Sequence, residues 1–237
     1  MDMQTAMLSS CGGRRVNEDT VRILQEGNQL LIFVGDGLGG YAGGAQASQA
    51  ASDAVAATFQ QGSLLSDRWH TAAAEQAELA VQQLQRRQRG GMKTTMVLLT
   101  IEGSMARWTY VGDSRLYHFR CGRLTAQTMD HSVSQMAVLM GQIRPEQIRF
   151  HEDRNRVLRA LGSDNARPDI SAVTELMQGD AFLLCTDGFW EYVYEEEMER
   201  LLQTANNPED WLRQMENLLL SRVPEYNDNY TAAAVFC

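Results

Sequence analysis

The sequence predicts an α+β fold in which layers of helices pack on antiparallel sheets. Short apolar segments typical of buried strands recur along the chain, and most are rich in β-branched or aromatic residues. Those between 94 and 119 follow one another through short turns at 101–104 and 112–114, as antiparallel strands do. Helical patterns separate other strands and supply the covering layers. The predicted strands are 30–34, 94–101, 106–111, 116–119, 181–185 and 231–236.

Apolar residues at helical spacing predict three helices. The third begins at Asn207, a capping residue followed by Pro208, and is expected to end near Pro224. The first has a stripe of small residues that allows close approach to a sheet: Ala47, Ala50, Ala51, Ala54 and Val55. The second has a larger stripe: Trp69, Ala73, Ala77, Ala80 and Leu84.

The composition predicts one ordinary globular domain, residues 1–237, because 44% of the residues are hydrophobic and no repeat or linker divides the chain. No apolar run approaches the roughly 20 residues of a membrane span. The 21 basic and 30 acidic residues give a net charge of −9, which disfavours nucleic acid as a partner. Four scattered cysteines without a CxxC pair, and a start unlike a leader peptide, favour a reduced, soluble protein of the cytoplasm.

Acidic residues stand at the ends of the apolar strands. Asp36, Asp113 and Asp187 each follow a strand, and Asp228 stands just before the last one. The end of one antiparallel strand and the start of its neighbour share an edge, so the four acids are expected to converge on one rim. Each Asp alone is more typical of a turn. Four converging carboxylates, however, would repel one another without a cation, so the pattern indicates a metal site.

The ligand types indicate a hard cation. The four histidines and four cysteines show no zinc spacing, whereas carboxylates and a backbone carbonyl suit Mg²⁺ or Mn²⁺. Two such ions about 4 Å apart can generate a nucleophilic hydroxide for displacement at phosphorus, which predicts hydrolysis of a phosphate ester. Arg14 adds a planar fork for phosphate oxygens, and Glu18 and Asp19 follow closely. A solvated charged loop is the alternative for this segment.

Seven segments resemble, in order and over nearly the whole chain, the PPM or type 2C family of metal-dependent protein phosphatases. They are RRVNEDT, FVGDGLGGYAGGAQAS, TTMVLL, YVGDSRLYHF, RALGSD, LLCTDGFWEYV and NDNYTAAAVF. The leucine at position 38, within the second of these segments, is similar to the sequences of the family's bacterial branch. The resemblance implies two central antiparallel β-sheets between helix layers, and a dinuclear Mn²⁺ or Mg²⁺ centre where metal-activated water directly attacks phosphoserine and phosphothreonine in proteins.

The resemblance also implies the metal ligands. Asp36 would bridge both ions, and the Gly37 carbonyl would bind one of them. Asp187 and Asp228 would hold the other ion. Asp113 matches the acid that helps bind a third, weaker metal beside Asp187 in bacterial members.

The remaining site residues would act on water and phosphate. By the resemblance, Glu18 and Asp19 act mainly through metal-bound water, and Arg14 holds the phosphate. Eukaryotic members often have a histidine, a proposed general acid, where this chain has Leu38, so protonation of the leaving group is unassigned. A metal-bound water is one substitute, and His131 is a weaker candidate that is more typical of a surface or packing histidine.

Residues 130–169 correspond to the mobile flap of bacterial members. Its arginines could steer a phosphorylated substrate. The alternative is a helix face with salt bridges to Glu146, Glu152 and Asp153. Trp190 and Tyr192 are interpreted as core aromatics. The arginines are Arg144, Arg149, Arg154, Arg156, Arg159 and Arg167.

A dinucleotide-binding enzyme is one rival interpretation, because Gly35, Gly37 and Gly40 satisfy the G-x-G-x-x-G pattern after a strand. Asp36 would place a charge in the loop that must hold a pyrophosphate. In addition, the chain about 20 residues later is helical where that fold needs a second strand. Both points disfavour this rival.

A second rival is a catalytically inactive, phosphatase-like scaffold that binds phosphoproteins. Such a protein would usually lack a metal-binding acid, whereas Asp36, Asp187 and Asp228 are all present. Phosphatases of this kind resemble those that act opposite Ser/Thr kinases in bacteria, including at type VI secretion systems. The expected partner is therefore a phosphorylated protein, the target of such a kinase, with no role for nucleic acid or a membrane.

Overall fold

Two antiparallel sheets stacked face to face occupy the centre of the computed structural model, which describes residues 2–39, 43–60 and 62–237. The strands are β1 (Gln4–Ser10), β2 (Thr20–Glu26), β3 (Gln29–Gly35), β4 (Gly37–Leu38), β5 (Lys93–Thr94), β6 (Met96–Glu102), β7 (Met105–Val111), β8 (Arg115–Arg120), β9 (Arg123–Gln127), β10 (Asp169–Ile170), β11 (Thr174–Glu175), β12 (Ala181–Cys185) and β13 (Tyr230–Phe236). The helices are α1 (Gly43–Ala56), α2 (Asp67–Gln88), α3 (Val133–Leu139), α4 (Asp187–Trp190), α5 (Glu195–Leu202) and α6 (Pro208–Leu220), with a 3₁₀ helix at Pro145–Phe150.

The strand order places both chain ends in one sheet. That sheet runs β1-β13-β12-β8-β9, and the other runs β10-β7-β6-β3-β2 with β11 also on β7. Every pairing is antiparallel, including β3 with β6, which are joined through α1 and α2. A dinucleotide-binding fold needs parallel strands at this point, so that rival is wrong. The last glycine of its pattern, Gly40, lies outside the described residues.

The central strands read as continuous apolar runs because both of their faces are buried. In β3, Leu30 and Ile32 face the opposite sheet, whereas Leu31 and Phe33 face α1 and α2. In β12, Phe182 lies between the sheets, and its neighbours in the strand face α5 and α6. The layers are therefore helix, sheet, sheet, helix, and the predicted fold class is confirmed.

Local signals explain where the long helices begin. Ser66 accepts a hydrogen bond from the Trp69 amide at the start of α2, and Asn207 accepts one from the Asp210 amide at the start of α6. Of the predicted α1 stripe, Ala47, Ala51 and Val55 are buried against the sheet and α2, whereas Ala50 and Ala54 are only partly buried. The last helix ends at Leu220, before the expected Pro224.

The predicted strands agree with the structure within about two residues, except for 94–101. The expected single strand there is wrong, because β5 pairs with β4 and a new strand begins at Met96. Between them, Thr95 turns its hydroxyl to the Asp36 amide. The elements that were not located by pattern are β1, β2, β4, β9, β10, β11, α3, α4, α5 and the 3₁₀ helix.

Two findings bear on the compartment expectations. Among the described residues, no helix is both long and apolar enough to span a bilayer. The four cysteines are all free thiols.

Candidate functional site

A cleft of about 400 Å³ opens at the edge where strands of both sheets end. It contains the predicted site residues except Asp19, which lies buried beside it. A larger groove of about 640 Å³, between α2 and residues 166–170, lacks such an acidic cluster. The cleft is lined by Arg14, Val16, Glu18, Asp36, Gly37, Leu38, Gly39, Asp113, Asn155, Val157, Asp187, Asp228 and Asn229.

The antiparallel register brings the four strand-end acids together. In one sheet, β3 and β7 both end at this edge on either side of β6, which places Asp36 and Asp113 there. In the other, β12 ends beside the start of β13, which places Asp187 and Asp228 there. The acids therefore meet in one cleft, as the strand-end pattern indicated.

Burial and mutual repulsion favour the protonated forms of four acids in and beside the cleft, Asp19, Asp36, Asp113 and Asp187. Both causes raise the pKa of Asp36 and that of Asp113 well above the ordinary value, with Asp187 the largest charge acting on each. They raise the pKa of Asp187 to about 6 and that of Asp19 to about 7. The Asp36 and Asp187 carboxyls are within hydrogen-bonding reach of each other. Ionising all four groups requires a compensating positive charge.

The donor set fits a hard divalent cation. Asp19 Oδ1 and Asp113 Oδ1 are buried and have no hydrogen-bond partner among the described residues, which is costly for an acceptor unless a cation compensates it. Carboxylates and a backbone carbonyl are ligands for Mg²⁺ or Mn²⁺, and the described residues that line the cleft include no histidine or cysteine. Within the described part of the chain, no three His, Cys, Asp or Glu side chains already form a complete ligand set. Asp228, for example, is paired with Arg14.

Two glycines allow the acidic loops to pass close to neighbouring backbone. A Cβ on Gly37 would lie 2.3 Å from the Gly44 carbonyl at the start of α1. A Cβ on Gly188 would lie 2.0 Å from the carbonyl oxygen of Asn229. Any side chain at either position would therefore push Asp36 or Asp187 out of place.

The loop that carries Arg14 is held by a residue that the sequence analysis missed. The Asn229 carboxamide accepts from the Glu18 amide at 2.8 Å and donates to the carbonyls of Cys11 and Val16 at 3.0 Å each. The only sequence signal was an asparagine directly after Asp228 and before a buried strand. Asn229 thus joins the loop to the start of β13.

Arg14 lies at the open side of the cleft. One guanidinium nitrogen, Nη2, is 2.9 Å from Asp228 Oδ2, and both side chains are about half exposed. Arg14 therefore borders the cleft without being buried in it.

Glu18 lines the cleft, and Asp19 lies buried beside it. Glu18 Oε1 accepts from the Gly44 amide at 3.2 Å, in the first turn of α1. Asp19 Oδ2 accepts from the Thr186 hydroxyl at 2.9 Å, immediately before Asp187. Both carboxylates are therefore fixed by elements that also carry the cluster.

Thr95 is a second residue that pattern reasoning missed. Its hydroxyl accepts from the Asp36 amide at 2.8 Å, and its own amide donates to the Asp36 carbonyl at 2.9 Å. The same hydroxyl lies 2.7 Å from that of Ser114. These bonds join the Asp36 loop to the Asp113 loop.

Four arginines of residues 130–169 form ion pairs with acidic residues, and three of these pairs are not the ones considered from the sequence. Arg156 contacts Asp153 as anticipated. Arg149 and Arg154 instead pair with Glu195 and Glu191, outside the segment, at 2.9 and 3.1 Å, so the alternative of salt bridges within the segment is wrong for these two. These ion pairs attach the segment to the end of α4 and the start of α5. Arg159 Nη1 lies 3.6 Å from Asp169 Oδ1. Asn155 and Val157 of this segment line the cleft, a position that no sequence pattern indicated.

His131 is a packed residue. Its Nδ1 accepts from the Gly112 amide at 3.2 Å, and its Nε2 is 3.1 Å from Asp169. It is buried and does not line the cleft, which favours the packing interpretation. Trp190 is buried, and Tyr192 packs against the same core, as expected for both.

Comparisons with known proteins identify the family. The family model for protein phosphatase 2C matches residues 12–222. The serine/threonine protein phosphatase PstP of Mycobacterium tuberculosis is 33% identical over 215 residues, covering 90% of this chain and 41% of PstP. The chain thus spans about two fifths of that relative. The serine/threonine phosphatase stp of Listeria monocytogenes is 28% identical over 232 residues, covering 94% of this chain and 90% of stp.

A solved structure gives the same result. The catalytic domain of PstP in complex with two manganese ions superposes with a TM-score of 0.84 at 29% identity, covering 99% of this chain and 97% of that one. These matches confirm the resemblance read from the motifs. The chain belongs to the protein phosphatase 2C (PPM) family.

Proposed function

We propose that residues 1–237 form one catalytic domain that hydrolyses phosphoserine and phosphothreonine in proteins, using two Mn²⁺ or Mg²⁺ ions. The observation that carries this proposal is the crowding of Asp19, Asp36, Asp113 and Asp187 around one cleft bordered by Arg14. The relatives named serine/threonine phosphatases support the substrate class.

The cluster would hold the cations as follows. The charges of the other acids of the cluster all raise the pKa of Asp36. Asp36 would therefore be shared by both ions. The Gly37 carbonyl would bind one ion, and Asp187 and Asp228 would bind the other. Asp113, with a buried unpartnered oxygen, would join Asp187 at a third and weaker ion. Bound divalent cations lower the pKa of water for in-line attack and neutralise charge on the phosphoryl oxygens. The relative solved with two manganese ions supports this assignment.

Arg14 would bind the phosphate. Its guanidinium is a planar fork that matches two phosphate oxygens, and it is half exposed at the mouth of the cleft. Its contact with Asp228 is a half-exposed ion pair, which can give way to a phosphate at little cost in free energy.

Glu18 and Asp19 would orient water. Each has one oxygen engaged by the protein, through the Gly44 amide and the Thr186 hydroxyl respectively. The second oxygen of Asp19 accepts no bond from the protein. Since no histidine lines the cleft in the part of the chain that the structure describes, the leaving oxygen would take its proton from water in the cleft.

The setting we propose is the cytoplasm of a bacterium, where the enzyme opposes a Ser/Thr kinase and its substrates are phosphorylated proteins. The free cysteines are consistent with a reducing compartment.

Phosphate release tests the proposal. The chain is incubated with a phosphothreonine peptide, with and without Mn²⁺, beside an Asp36→Asn variant. Mn²⁺-dependent release by the wild-type chain, lost in the variant, is the expected result. Binding of the phosphopeptide without release would support the inactive scaffold instead.

A further inference from the structure

The Trp190 indole connects the chain segments that carry two of the acidic residues, Asp113 and Asp187. Trp190 is the last residue of α4, the short helix that begins at Asp187. Its ring is 2% exposed, and its Nε1–H donates to the Asp113 carbonyl at 2.9 Å. One hydrogen bond therefore ties the helix that carries Asp187 to the loop that carries Asp113.

The ring itself is held in a single orientation. The Arg115 guanidinium lies 3.5 Å from the Trp190 ring centroid. Arg115 binds both oxygens of Asp130, at 2.8 and 2.7 Å, and this ion pair is almost fully buried. Breaking a buried pair of this kind is strongly destabilising. Since the guanidinium also stacks on the ring, the indole cannot turn away from Asp113 without disturbing the pair.

The Asp113 loop is fixed from its other side as well. The Gly112 amide donates to His131 Nδ1 at 3.2 Å, and the Gly112 carbonyl accepts from the His131 amide at 2.9 Å. The backbone is thus restrained by Trp190 and His131, while Asp113 Oδ1 accepts no bond. What the protein holds firmly is the position of Asp113, and its carboxyl is left available to the cleft.

We infer that Trp190 is a positioning residue that sets the separation of the Asp113 and Asp187 carboxylates. The free-energy cost of holding two carboxylates near each other is met when the protein folds. A cation that binds both carboxylates therefore finds its ligands already in place. The Trp190 bond would therefore raise the affinity of the weaker cation, which these two acids share. This inference rests on the proposed function.

The test removes the N–H and keeps an aromatic ring. Trp190→Phe is titrated with Mn²⁺ by calorimetry, beside Trp211→Phe as the matched control. Trp211 is equally buried, and its Nε1–H donates to a backbone carbonyl, that of Met198, at 3.0 Å, in the core between α5 and α6. Both substitutions leave a buried carbonyl without its donor, so both are expected to lower the thermal stability of the protein.

Only Trp190→Phe should weaken the lower-affinity class of Mn²⁺ sites, by about tenfold, as for other outer partners of metal ligands, with the tighter class changed by less than about twofold. Equal Mn²⁺ binding by both variants and the wild type would overturn the inference. Equal weakening in both variants would also overturn it, since loosening of the core would then suffice. If the wild-type chain binds no Mn²⁺, the proposed function itself fails.

A second substitution covers poor folding of Trp190→Phe. Benzothienylalanine at position 190 keeps the size and stacking of the indole but replaces its N–H with sulfur, which cannot donate. The same selective loss in the weaker class supports the inference, and wild-type Mn²⁺ binding overturns it.

Discussion

Replacing Arg14 with alanine is expected to weaken substrate binding and leave the metal ions in place. The proposed contact is a charge-assisted bidentate bond from the guanidinium to the phosphate. Loss of such a contact costs on the order of 1.5 to 3 kcal/mol, or roughly 10- to 150-fold in binding. The Asp228 contact that Arg14 makes is a half-exposed ion pair, so its loss should change the free energy of unfolding by less than about 1 kcal/mol.

The assay separates these effects. Steady-state hydrolysis of a phosphothreonine peptide in saturating Mn²⁺ gives KM and kcat, and calorimetric titration gives the Mn²⁺ affinity. Arg14→Ala should raise KM with Mn²⁺ affinity unchanged. Arg14→Lys keeps the charge but loses the fork, so it should recover only part of the loss. Arg15→Ala is the control, since Arg15 is exposed next in the chain and does not line the cleft.

Three results would refute this reasoning. Full recovery by lysine would show that Arg14 contributes net charge alone. A collapse of Mn²⁺ affinity in either Arg14 variant would make Arg14 a structural partner of Asp228 and not the phosphate ligand. An unchanged KM in Arg14→Ala would remove it from the substrate site.

Three further predictions follow from the structure. Asp36→Asn should lower Mn²⁺-dependent turnover by several orders of magnitude and, because it relieves repulsion, raise the unfolding temperature in chelator; a lower temperature would contradict the proposed crowding. Gly188→Ala places a Cβ 2.0 Å from the Asn229 carbonyl and should weaken Mn²⁺ binding, whereas Gly91→Ala, with open space, should not. Burial lowers the pKa of His70 from 6.5 to about 4. As the pH falls, His70 therefore binds a proton in the unfolded chain before it does so in the folded chain. About 3 kcal/mol of the free energy of unfolding, present above pH 6.5, is lost as the pH falls to 4. Urea denaturation across this range should show a flatter profile for His70→Gln, and identical profiles would refute the assignment.

The central strands and the acids at their ends could be predicted because both leave local signals. A strand buried on two faces, such as β3, must be a continuous apolar run. An acid directly after such a run has to lie at an edge of the sheet, which is why Asp36, Asp113 and Asp187 were recognisable. Strands with mixed burial, such as β1, lack that run and were not located.

Tertiary structure alone decided how the site is held. The bonds that hold the site join residues distant in sequence. Thr95 is 59 positions from Asp36, Asn229 is 211 from Glu18, and Trp190 is 77 from Asp113. Hydrophobic periodicity records only which face of an element is buried. A directional hydrogen bond depends instead on the relative placement of two elements, and that placement arises only when the two sheets and their helices pack together.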